Sequence, residues 1–231
     1  VTDSLDEFQK LLMDRDTPLC EDLEPYLEDT DFIGKVLKHP LVFQVPFHSA
    51  ALANKQLEWK RKAVEEAIEN EDWMQVVWLH ERPYRIYVLH DFATEMSDQD
   101  FWNALGSIWT DSENIWQNEE EWRDLWQVER PGRLDYVMDD DDKLVFSNLP
   151  ETITVYRGCI QGENEDGMSW TTDFQIAEFF AKRFAEIREG DPIILCGEVS
   201  KDDVLAYSQG RNEFEVIVLP EKVRVSHLRA L

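Results

Sequence analysis

The sequence has no run of about eighteen apolar residues, so it offers no candidate transmembrane helix. Its opening, VTDSLDEFQK, is acidic and does not read as a secretory signal. Cysteine is scarce. Three residues, Cys20, Cys159 and Cys196, are odd in number and widely spaced, which points to reduced thiols in a cytoplasmic protein and gives no zinc pattern. The five histidines (His39, His48, His80, His90 and His227) form no H-x-x-x-H or H-x-E pattern, so packing or capping roles are expected and no metal is. Positive charge is also short: 23 basic residues face 49 acidic ones, for a net charge of −26. A surface of that sign repels phosphate backbones, which argues against direct nucleic-acid binding. It suits a basic protein partner, simple solubility or a salt-adapted host. No G-x-G-x-x-G follows a strand and no G-x-x-x-x-G-K-[ST] occurs, so both common nucleotide fingerprints are missing.

What is present is apolar and aromatic. A hydrophobic content of 43% with nine tryptophans excludes a disordered chain, and 231 residues can bury a substantial core. Residues 1–148 read as an acidic, mainly helical region. Leu5, Phe8, Leu11 and Leu12 form one stripe, and QLEWKRKAVEEAIENEDWMQVVWL is a long helical run with Leu57, Val64, Ala67 and Ile68 on one side. Ser97 reads as the N-cap of the next helix. Trp102, Trp109 and Trp116 recur every seven residues, with Trp122 and Trp126 beyond, a spacing that fits the core face of a helix or an aromatic groove. The first 150 residues carry 34 acids and 14 bases, net −20. Pro131-Gly132 closes the helices, and Asp139 to Asp142 read as a solvated acidic turn.

Residues 149–231 read as α+β, with one helix among short mixed or antiparallel strands. TITVYRG, PIILCGEV, DVLAYSQG, NEFEVIVL and KVRVSHL are strands, the last an edge. A helix capped by Asp173 follows MSWTTD, with Ile176, Ala177, Phe180, Phe184 and Ile187 inward. GRNEFEVIVLP raises a physical question. On a strand Glu213 and Glu215 point to one face, where like charges repel unless a function uses them. Taken singly, Arg157 also reads as a paired strand arginine, Ser169, Thr171 and Thr172 as capping hydroxyls, and E-x-E as chance in an acidic chain. Cys159 shares a strand face with Arg157, yet no histidine partner marks it as a nucleophile.

In this order VYRG, GMSWTTDFQIAEFFA and NEFEVIVLP resemble the mono-ADP-ribosyltransferase family of the Arg–Ser–Glu type, as in arginine-specific bacterial toxins and related phage enzymes. The resemblance covers roughly residues 152–226 and implies an ADP-ribosyltransferase-like catalytic core around an NAD cleft. It implies that Arg157, Gly158, Ser169 and Thr171 bind NAD, with Arg157 gripping the diphosphate. Ser169 would brace Glu215, which would bond the nicotinamide-ribose hydroxyl and favour an oxocarbenium-like cation. Glu213 would orient or deprotonate the acceptor, and a glutamate there goes with arginine modification. Trp170 replaces a small polar residue of the family pattern and is expected to turn away into packing. Tyr207, in the turn matching the family's target-recognition loop, would contact the acceptor protein or simply end a strand. The amino-terminal half matches no motif of the family.

The expected activity is therefore NAD-dependent transfer of ADP-ribose to arginine on a basic protein target, with NAD⁺ as substrate and no metal. Two alternatives stand beside it: an NAD glycohydrolase of the same fold, and an acidic decoy that occupies the basic groove of a DNA-binding partner.

Overall fold

The computed structural model describes residues 2–113 and 115–230, with the side chains of 2–4 and 227–229 left aside, so the side chain of His227 lies outside the described residues. The chain divides into two compact units, Val1–Met96 and Ser97–Leu231.

The first unit is not purely helical. Helix α1 (Thr2–Met13) leaves Leu5 and Phe8 exposed. It is followed by a three-stranded antiparallel sheet of β1 (Leu27–Thr30), β2 (Gly34–His39) and β3 (Val42–Gln44). Residues 1–148 are mainly helical, as expected, and this sheet is a local departure from that reading. Its strands are short, and β2 buries Val36 and Leu37 in succession, so no sustained period of two marks the sheet. Helix α2 (Ala50–Glu69) starts at Ser49, whose hydroxyl accepts from the Leu52 N–H at 3.2 Å, and buries Leu57 and Ala67. Leu23, Leu37, Leu41, Val42, Ala53 and Leu57 form one core cluster of this unit. The long helical run breaks at residues 70–72, where Glu71 takes φ +55° and Asp72 caps α3 (Trp73–Leu79). Helix α4 (Arg85–Phe92) completes the unit.

The second unit begins with α5 (Asp98–Asp111), capped by Ser97 as expected. Then come α6 (Glu119–Trp126), α7 (Arg133–Val137) and α8 (Asp140–Asn148). The acidic run is not a turn: Asp139 accepts the Asp142 N–H at 2.8 Å and caps α8, placing Asp140–Asp142 in the first helical turn, where the helix dipole favours negative charge. Strands β4 (Thr152–Ile160), β5 (Ser169–Thr171), β6 (Pro192–Ser200), β7 (Val204–Ser208), β8 (Glu215–Val218) and β9 (Arg224–Ala230) form one antiparallel sheet in the order β7-β8-β5-β4-β6-β9. Helix α9 (Phe174–Arg188), capped by Asp173, lies against β4.

The division at 96/97, rather than at 148/149, has visible causes. The Gln209 N–H donates to buried Asp142 at 2.7 Å, the Tyr207 N–H to Met138 Sδ at 3.4 Å, and Arg123 pairs with Glu221 at 2.8 Å, so α6 to α8 belong with the sheet. Helix α9 packs through Ala177 and Ala181, while Ile187 is 65% exposed rather than inward. No helix among the described residues is long and apolar enough to cross a membrane.

Candidate functional site

The site forms where β8, β5 and β4 lie side by side. Thr171 is in register with Tyr156 on one side and with Glu215 on the other, and Ser169 with Ile217. Ser169 and Thr171 thus share a sheet face with Glu215 at the head of β8.

The two glutamates are not strand neighbours. Strand β8 starts at Glu215, whereas Glu213 ends a 3-10 turn at φ −90°, ψ −15°, and Phe214 between them has φ +49°. The expectation of a simple i, i+2 pair fails because the chain turns there. Both carboxylates nonetheless line one cavity, together with Arg157, Arg211, Tyr156 and Trp109. The turn is pinned by its neighbour: the Thr171 hydroxyl donates to the Glu213 carbonyl at 2.6 Å, and the Thr172 N–H to the Phe214 carbonyl at 3.1 Å.

Glu215 receives two hydrogen bonds on the same oxygen. The Ser169 hydroxyl and the Trp109 indole N–H, the latter at 3.2 Å, both donate to Oε1. Burial pushes the Glu215 carboxyl above its ordinary value, and the charge on Glu213 adds to this. The two hydrogen bonds and the cation of Arg211 act in the opposite direction.

Arg157 is tied to main chain. Its Nε and Nη2 donate to the Asn164 carbonyl at 3.1 and 2.9 Å, and Nη1 donates to the Ser169 carbonyl at 2.6 Å. Gly167 makes room for it, since a Cβ there would fall 2.1 Å from Nη2. Burial lowers the guanidinium from its ordinary value, opposed by Cys159, Asp166 and Glu215; arginine remains charged even so. Gly158 lines the cavity, but its lack of a side chain has a packing cause: a Cβ would lie 1.9 Å from the Ala177 carbonyl of α9.

The far wall is apolar. Ile176, Phe180 and Phe184 of α9 face the cavity, and at its mouth Arg188 stacks 5.0 Å over Trp116 while pairing with Glu163 at 3.6 Å. The tryptophan series is thus core and site together. Trp102, Trp122 and Trp126 are buried, Trp109 packs edge-on against Trp122 and Trp126 and also reaches Glu215, and Trp116 is 45% exposed.

The other candidates have packing or local roles, although Trp170 and Cys159 also border the cavity. Tyr207 is only 2% exposed and stacks on Phe146, so its ring is not presented to a protein acceptor. Trp170 is buried, with its indole N–H on the Gly167 carbonyl at 3.0 Å. The Cys159 thiol is buried and pushed up to about 11, the wrong direction for a nucleophile. His39 Nδ1 accepts the Leu41 N–H at 3.0 Å and His80 Nδ1 bonds the Val76 carbonyl at 2.7 Å, both local main-chain roles. Among the described residues no group of three or more His, Cys, Asp or Glu side chains is placed to hold a metal ion.

Sequence reasoning missed Trp109, Arg211, Asn164 and Gly167 as parts of the site. Only Trp109 left a signal, as a member of the seven-residue series. No protein-family model matches the chain, and no match was found among curated proteins or among solved structures.

Proposed function

We propose that the chain is an NAD-dependent mono-ADP-ribosyltransferase that modifies arginine on a protein. The observation that carries this reading is the hydrogen bond from Ser169 to Glu215 in a cavity shared with Glu213 and Arg157. It matches the brace implied by the order of the Arg, Ser and Glu motifs.

The chemistry follows from charge. Breaking the bond between nicotinamide and ribose leaves positive charge on the sugar, and a carboxylate held beforehand in a desolvated site stabilises it. Two donors on Oε1 orient Glu215, and no described residue donates to Oε2, which can accept from a ribose hydroxyl. Glu213 would bind the incoming guanidinium and take its proton as the new bond forms. Arg157 would attract the diphosphate while holding residues 164–169 in place. The cavity's apolar wall would exclude water from the reacting carbon.

The test pairs labelled NAD⁺ with a bacterial lysate and the purified chain. The expected result is label on a discrete protein band. Glu213→Gln is expected to keep nicotinamide release and lose the label. Nicotinamide released at full rate with no labelled protein would instead assign water as the acceptor.

A further inference from the structure

Arg211 has no place in the scheme above, yet it lies at its centre. Its Nη2 is 3.2 Å from Glu213 Oε2, its side chain is 56% exposed, and it lines the same cavity as Glu215. The contact is built by the turn. The Asn212 N–H donates to the Gln209 carbonyl at 2.9 Å and the Glu213 N–H to the Gly210 carbonyl at 3.1 Å, while Arg211 and Asn212 both take φ +57°. Left-handed backbone is tolerated by asparagine but unfavourable for an arginine, so at Arg211 the surrounding bonds must impose it. The result doubles the chain back and lays a guanidinium on the carboxylate assigned to the acceptor.

We propose that Arg211 is itself an acceptor: the chain transfers ADP-ribose from NAD⁺ to the guanidinium of its own Arg211. This rests on the transferase reading given above. In the step, the bond between the nicotinamide nitrogen and ribose C1′ breaks and its electron pair stays on nicotinamide, which leaves neutral. An Arg211 Nη forms the new bond to C1′, and its proton passes to Glu213 and then to solvent. The product guanidinium keeps its charge. Tethering beside Glu213 makes the reaction intramolecular, so no second protein molecule is needed.

The test incubates the full chain with NAD⁺ alone. Nicotinamide is measured, and the peptide containing residue 211 is mapped by mass spectrometry at several protein concentrations. The expected result is ADP-ribose on Arg211 at a rate independent of protein concentration, slowed about 100-fold or more in Glu215→Gln and absent from position 211 in Arg211→Lys. Nicotinamide release with Arg211 unmodified would overturn this inference and leave NAD⁺ cleavage standing. Modification that slows on dilution would overturn the intramolecular assignment. Neither nicotinamide nor modification from the folded wild type would overturn the inference together with the transferase reading beneath it.

Discussion

The indole N–H of Trp109 donates to Glu215 Oε1 across 106 residues of sequence, at 3.2 Å. The same ring packs edge-on against Trp122 at 5.1 Å and Trp126 at 5.7 Å. Helix α5 therefore does more than fill space, because the tryptophan core aims a donor at the carboxylate on which the proposed chemistry depends.

Trp109→Phe keeps an aromatic ring in that core and removes the donor. A hydrogen bond to a charged group contributes about 1.5–3 kcal/mol, so NAD⁺ cleavage should fall roughly ten- to a hundredfold. The bond also favours the charged form of Glu215. Its loss should move the acid limb of the pH–rate profile to higher pH. Steady-state rates measured across the acid range check both effects.

Glu215→Gln should stabilise the fold at neutral pH. Burial raises the folded-state value of this carboxyl above its unfolded one. Between those two values the folded state holds more protons, so the Glu215 contribution is fully present below the unfolded value and is lost as pH rises through the folded one. The Tm of the variant relative to wild type should therefore increase from acid toward pH 7, as thermal unfolding at a series of pH values would record.

Gly158→Ala should cost stability, because its Cβ would lie 1.9 Å from the Ala177 carbonyl and 2.6 Å from the Ala181 amide. Overpacking of this kind costs about 1–3 kcal/mol or more, here by lifting α9 off β4. Urea unfolding should show a lower midpoint.

Arg157→Lys keeps the charge and loses the planar fork that reaches both the Asn164 and Ser169 carbonyls. Residues 161–168 should open more readily, visible as faster amide exchange, and KM for NAD⁺ should rise about tenfold or more, the loss of one to two charged hydrogen bonds.

Much of the sheet was legible from apolar runs. PIILCGEV and VIVL are continuous because β6 and β8 are covered on both faces, and KVRVSHL falls at an edge. Asp173 and Ser97 were legible as caps because a side-chain oxygen before a periodic run has one common use. The sheet of residues 27–44 was not, since its strands span only three to six residues and β2 does not alternate. Glu213 was misplaced because a non-glycine residue at positive φ, here Phe214, leaves no trace in composition. Arg211 escaped for the same reason: its meeting with Glu213 is a property of backbone turns. The spacing of Trp109 fits a core face or an aromatic groove, but a period cannot tell which indole N–H finds a distant carboxylate.

The most direct measurement is nicotinamide release from NAD⁺ by the purified chain and by Glu215→Gln, with folding of both verified. The account predicts release by wild type and a loss of about 100-fold or more in the variant. No release from folded wild type, or equal release from both proteins, would contradict it.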